Sequence, residues 1–304
     1  MFARSISGLS LFAILLLGAA QQQPQPDVSP VLVQQDPASF TEQPDSAEAS
    51  PTFEDQVMEL LNQERWKNGQ LPPLKRNAQL NNASEQHSGN MAGRNFFAHC
   101  DLDNGQAPWD RMRAAGYNWN AAAENIAAGH STPADVISGW MNSPGHRANI
   151  LSTNYREVGI GYGYQSGDQK NVRFDNNGDC QADSSNNGPY GHYWTQDFGA
   201  SNGVYPVVIN REAYQTNSRN VSLYVYGAGW AQELRLRNDN GAWSAWQPYS
   251  ADVGWTLNMG SGAKTVYAEI RNGGAVYGAS DTIVLNDVAF KPTAFVYLPA
   301  VLRR

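Results

Sequence analysis

Among the side chains able to move protons or hold a metal, three stand out in one stretch of this 304-residue chain: His99, Glu124 and His146. An imidazole beside a carboxylate can act as a general base, and a serine within reach can serve as nucleophile. Ser138 and Ser143 qualify by position alone. No Gly-x-Ser-x-Gly elbow occurs. Cys100 adjoins His99, but neighbours on an extended segment point apart, so the two are no nucleophile–base pair. The insertion from Asp175 to Asp183 looks superficially like a calcium loop, yet the glycine place is taken by Gln181 and no glutamate closes it, so it reads as a solvated turn. Each candidate also has a purely structural reading. Glu124 is equally suited to accepting backbone N–H groups. His146 suits the C-terminal carbonyls of a preceding helix, where an imidazolium is favoured, and that is its preferred role. His87, on the apolar stripe of a helix, reads as a hydrogen-bonded core histidine.

The elements that must position these groups follow from periodicity and caps. Thr52 with Asp55 three residues on forms a capping box, and Phe53, Val57, Leu60, Leu61 and Trp66 then recur at helical spacing until Gly69. A second helix is expected over 77–92 and a third over 109–115. The clearest helix start is Thr132-Pro133-Ala134-Asp135, with an N-cap, a first-turn proline and an acid. Val136, Ile137, Trp140 and Met141 give that helix its buried face, and the Pro-Gly-His-Arg turn closes it. Strands are expected over 158–164 and 190–198, separated by the Gly/Asn/Asp/Ser-rich insertion. The pattern is helices packed on a sheet. After Gly203, short alternating runs at 204–209, 221–226, 233–237, 255–257, 265–270 and 282–285 indicate an all-β domain.

Four segments together carry a family resemblance: Phe96-Phe97-Ala98-His99, Ala123-Glu124-Asn125-Ile126-Ala127, the run from Trp140 through Ser143-Pro144-Gly145-His146 to Leu151, and Tyr193-Trp194-Thr195-Gln196-Asp197-Phe198-Gly199. In order and spacing they resemble the bacterial branch of the CAP superfamily, also called SCP/PR-1-like, over 53–199. The resemblance implies an α+β fold, a three-layer α-β-α sandwich, with an open polar cleft. Many animal and plant members hold two His and two Glu there, and some bind a divalent metal. His99 and Glu124 match half of that tetrad, while Ser143 and Tyr193 stand where the second glutamate and histidine would be. The implied cleft set is therefore His99, Glu124, Ser143, His146 and Tyr193. Zinc wants three or four ligands, and only His99, Glu124 and His146 are on offer, so the expectation is no cofactor beyond a weak divalent metal. The β region resembles small Ig-like modules of bacterial exported proteins. Its Trp230, Trp243, Trp246 and Trp255 suit a sandwich core better than a sugar-binding surface.

Composition bounds the setting. Arg4, an apolar run over 6–17 and Gly18-Ala19-Ala20 describe a signal peptide over 1–20. The acidic Pro/Gln stretch 21–51 cannot bury enough surface to fold and reads as a disordered linker. Domains are expected over 52–202 (CAP/SCP-like) and 203–288 (Ig-like), with an apolar-basic tail over 289–304. The net charge of −7, with no basic patch, argues against nucleic acid as a partner. No membrane span is expected after signal cleavage. Outside the cytoplasm Cys100 and Cys180, the two cysteines, are disulfide candidates; two unrelated small residues is the competing reading. These observations point to a secreted, non-catalytic binding protein for a lipid, peptide or cell-envelope ligand. The alternatives are a hydrolase acting through the same His/Glu cleft and an extracellular adhesion module.

Overall fold

Thr52 caps the first helix as its sequence suggests. In the computed structural model, which describes residues 50–287, the Thr52 hydroxyl accepts the Asp55 N–H (3.2 Å) and the Asp55 carboxylate accepts the Thr52 N–H (2.8 Å). The expected signal peptide, nearly all of the linker and the C-terminal tail lie outside the described residues. The first region runs α1 (Phe53–Lys67), β1 (Lys75–Arg76), α2 (Ala78–Arg94), β2 (Phe96–Phe97), α3 (Pro108–Ala114), β3 (Ala121–Ala128), α4 (Pro133–Asn142), α5 (Pro144–Leu151), β4 (Glu157–Tyr164), β5 (Val172–Phe174), β6 (Ser184–Asn187) and β7 (His192–Ala200). Its main sheet has the order β1-β4-β7-β3, antiparallel except for the β1–β4 pair.

Side-chain alternation sends the two faces of that sheet into different layers. Val158, Ile160, Trp194, Phe198, Ala123 and Ala127 pack against Val57 and Leu61 of α1, Ile137 and Trp140 of α4 and Ile150 of α5. Ile126 and Tyr193 face the other way, towards Met91 of α2. The result is an α-β-α sandwich. Helix α2 lies unusually close to β4, because a Cβ on Gly159, Gly161 or Gly163 would sit 2.1, 2.2 and 2.4 Å from backbone atoms of Leu80, Ser84 and Ser88. Every second residue of the strand thus meets every fourth residue of the helix, and only glycine fits.

One local reading needs correction. The segment after Asn142 is not a closing turn: Pro144 starts a separate helix, α5, so His146 lies in that helix's first turn and cannot cap C-terminal carbonyls. In the insertion, Gly178 (φ 82°) and Cys180 (φ 65°) adopt left-handed conformations. Asp175 gathers the N–H groups of Asn177, Gly178 and Cys180, which ties the loop to itself. Cys180 is joined to Cys100 by a disulfide, and β2, β5 and β6 form a small sheet beside it.

The second region comprises β8 (Val207–Ile209), β9 (Gln215–Thr216), β10 (Asn220–Val225), β11 (Glu233–Asn238), β12 (Gln247–Pro248), β13 (Asp252–Thr256), β14 (Gly262–Asn272) and β15 (Ala275–Leu285). Two sheets, β13-β10-β8 and β12-β11-β14-β15-β9, share one core containing Ile209, Leu223, Leu236, Ile270 and Ile283. Of the four tryptophans expected to fill that core, Trp230 and Trp255 pack at its margin. Trp243 and Trp246 do otherwise: Arg235 stacks on both rings, Arg237 on Trp243 and Arg271 on Trp246, at 4.2 to 5.0 Å from the ring centroids.

The two regions meet along a bonded seam. Asn62 donates to the Arg211 carbonyl (3.1 Å), Tyr226 to the Pro73 carbonyl (3.0 Å), and the Tyr214 N–H to Glu59 (2.6 Å). Lys75 is held between Asp281 and Glu212, the latter at 2.7 Å. Lys75's pKa is raised: burial opposes its charge, but the two carboxylates outweigh burial. Glu212 is nevertheless pushed up to about 7, by burial and by the charge of Asp281. One ammonium stabilises its own charge there without holding both buried carboxylates fully ionised.

Candidate functional site

Strand β3 is an edge of the main sheet, and the candidate site is built along it. Glu124 points from β3 into the α2 layer, opposite Asp197 of β7 in the strand register. Its carboxylate is enclosed, and both oxygens are engaged. Oε1 receives Nδ1 of His99 at 2.7 Å, and Oε2 receives a guanidinium N–H of Arg111 from α3. Arg111 is itself buried, and its other terminal nitrogen donates to the carbonyls of His99 (2.9 Å) and Gln106 (3.0 Å). One arginine therefore fixes both the acid and the backbone of the imidazole it serves. Below them His87 is fully enclosed and bonded to the Ala98 carbonyl (2.9 Å), with its pKa lowered to about 4, chiefly by burial.

These contacts set the protonation states. Burial opposes ionisation of Glu124, but Arg111, His87 and His99 more than compensate and hold its pKa below the ordinary value. Asp197 goes the other way: burial and the neighbouring Glu124 charge push its pKa well above the ordinary value. Ser84 donates to Asp197 Oδ2 at 2.9 Å, while Oδ1 has no hydrogen-bond partner among the described residues. Glu124 engages His99 through Nδ1, which leaves Nε2 uncommitted on a side chain that is 54% exposed.

His146 and Ser143 lie on the far side of β3, in an open groove of about 250 Å³ walled by Phe97, Trp140, Phe174 and Tyr190. Asn125 holds His146 there by donating to its carbonyl (3.2 Å). The pKa of His146 is lowered, first by partial burial and then by the charge of His99, so the two imidazoles share one field. Of the five residues expected to form the cleft, the structure thus brings His99 and Glu124 into contact and places His146 and Ser143 together in the groove across β3. Tyr193 is excluded: it is fully buried and its hydroxyl bonds to Asp168 (2.9 Å). His192 faces the opposite side of the strand, against Tyr162 (2.7 Å). Arg111 and Asp197 are the site residues that sequence reasoning passed over. A charged residue at an inward position of β7 was the available signal for Asp197.

The site is poorly made for a metal. Both Glu124 oxygens are already taken. Among the described residues, the group of three His, Cys, Asp or Glu ligand atoms that does converge is Cys100, Asp175 and Cys180, with both sulfurs committed to the disulfide.

Residues 58–198 match the model of the cysteine-rich secretory protein family, CAP. This region is a CAP domain. Over 110 residues the chain is 42% identical to the uncharacterized protein YkwD of Bacillus subtilis (strain 168), which covers 36% of this chain and 42% of that protein. It is 32% identical over 110 residues to the uncharacterized membrane protein YlbC of the same organism, covering 36% and 31%. The chain thus spans less than half the length of these relatives. Among solved structures, an extracellular protein containing an SCP domain from Bacillus anthracis str. Ames aligns at 28% identity and a TM-score of 0.38, over 49% of this chain and 40% of that one. Among the described residues, no helix is long and apolar enough to cross a membrane.

Proposed function

We propose that this is an exported binding protein whose CAP domain takes an amphiphilic ligand, a lipid or an apolar peptide side chain of the cell envelope, in the groove beside β3. The observation that carries this reading is the pairing of an aromatic-walled recess with polar groups at its margin. Phe97, Trp140, Phe174 and Tyr190 offer an apolar seat, and His146, Ser143 and His130 offer polar contacts for a head group. The β region, read as an Ig-like module, serves as a rigid extension of the domain.

The test is ligand capture. Protein recovered from its native medium is analysed by mass spectrometry beside an Ala128→Phe variant, which fills the groove. A small molecule retained by the wild type and lost in the variant is expected. No retained molecule, or the same molecules in both, overturns the reading.

A second reading, hydrolysis, draws on the 2.7 Å His99–Glu124 bond, which orients Nε2 as a general base does. Incubation with casein and cell-wall polymers, wild type against Glu124→Ala, separates the two. Equal inertness removes the enzyme.

A further inference from the structure

A second concave site lies in the seam, away from β3. A groove of about 330 Å³ opens between the C-terminal end of α1 and the β10–β13 edge, lined by Trp66 and Gln70 from the CAP domain and by Asn210, Arg211, Tyr224 and Asp252 from the β region. Its size falls at the lower end of the roughly 300–1,000 Å³ of small-molecule sites, which favour interfaces between structural units.

Three features set it apart from an incidental crevice. Trp66 leaves 40% of its surface uncovered on a helix whose other large apolar residues are packed into the core. The guanidinium of Arg211 lies 3.7 Å from the centre of that indole, and neither it nor the Asp252 carboxylate has a hydrogen-bond or ion-pair partner among the described residues. Finally, Arg211 is held there by a costly backbone. Asn210, Arg211 and Glu212 all adopt left-handed conformations (φ 44°, 57° and 63°), unfavourable by roughly 1 kcal/mol or more apiece for non-glycine residues. The turn persists because Asn62 binds the Arg211 carbonyl and Lys75 binds Glu212. Strain kept by ties from both regions holds one cation stacked on one indole.

We propose that this groove is a saccharide-binding site, taking one or two neutral sugar rings of a glycan. The phenol ring of Tyr224 and the part of the Trp66 indole that Arg211 leaves uncovered offer apolar surface to the C–H side of a pyranose. Arg211, Asp252 and Gln70 supply donors and acceptors in the planar, two-pronged form that vicinal hydroxyls require. Arg211 and Asp252 together carry no net charge, which disfavours a strongly anionic or cationic occupant. Neither region contains the site alone, and it is independent of the groove beside β3.

The full chain is titrated with chitotetraose, cellotetraose, maltotetraose and mannotetraose by calorimetry, up to about 5 mM, just past the weak end of specific recognition. Binding of at least one is expected, weakened tenfold or more by Trp66→Ala and by Asp252→Asn. The exposed Trp109, on α3, serves as the control, and Trp109→Ala leaves binding unchanged. Asp252→Asn, at an exposed position, keeps the test valid if Trp66→Ala folds poorly. Absence of binding by all four sugars, or binding that survives both substitutions, overturns the assignment.

Discussion

Replacing Arg111 with methionine is the sharpest test of how the His99–Glu124 pair is held. The substitution keeps most of the side-chain volume and removes a buried cation from three acceptors: the Glu124 carboxylate and the carbonyls of His99 and Gln106. Removing one partner of a buried ion pair costs about 3–5 kcal/mol, because the surviving charge stays enclosed without compensation. Glu124 can escape part of that cost by taking a proton, and so the loss depends on pH. In the wild type its folded pKa is depressed; without Arg111, burial dominates and raises it above the unfolded value of about 4.3. A group raised in the folded state contributes stability below the unfolded pKa and loses it as pH climbs through the folded one. Urea denaturation of Arg111→Met should therefore show a deficit of about 4 kcal/mol near pH 7 that narrows by at least 1 kcal/mol near pH 5, relative to wild type. A deficit below about 1 kcal/mol, or one that does not change with pH, would mean that Arg111 is not what keeps Glu124 ionised.

Three further outcomes follow from other parts of the fold. Gly161→Ala places a methyl 2.2 Å from the Ser84 backbone and should cost about 3 kcal/mol or more, whereas Gly254→Ala, which meets nothing within 4 Å, should be nearly neutral in thermal denaturation. Glu212, with a folded pKa of about 7 against about 4.3 when unfolded, should make stability fall by up to about 3 kcal/mol as pH rises between those values; Glu212→Gln should flatten that slope, and an unaltered slope would reassign it. The Cys100–Cys180 bridge closes a loop across 80 residues, so a double alanine variant should lose about 4 kcal/mol by the chain-entropy relation, read as a shift of the urea midpoint; a loss under about 1 kcal/mol would show the loop to be restrained without it.

What the sequence made legible depended on how local each cause was. The caps at Thr52 and Thr132 were readable because the bonding partner lies three residues away. Strand β3 was recognisable as a motif but not as a strand, since its alanines have weak β preference and its conformation is dictated by pairing with β7. The break between α4 and α5 was missed because Pro144 was taken as a stop signal, although proline is equally at home in a first helical turn. His99 and Glu124 were identified through the family resemblance of their motifs, yet the residue joining them, Arg111, sits on a helix with nothing in its own segment to mark it as buried. Tyr193 was placed in the cleft by position counting and belongs to the core because Asp168, on a distant loop, meets its hydroxyl. The seam was beyond sequence reasoning altogether, since Lys75 and Asp281 stand 206 residues apart.

The indole of Trp140 reaches the outer margin of β3 and donates to the Ile126 carbonyl at 3.1 Å, with the Asn149 amide near the Glu124 carbonyl at 3.5 Å. An edge strand without such stoppers is a template for a neighbouring molecule. The same tryptophan that walls the groove beside β3 thus guards against polymerisation. Any variant that empties this position would change two properties together: the groove would lose a wall, and the molecule would gain a free acceptor through which copies of itself could join.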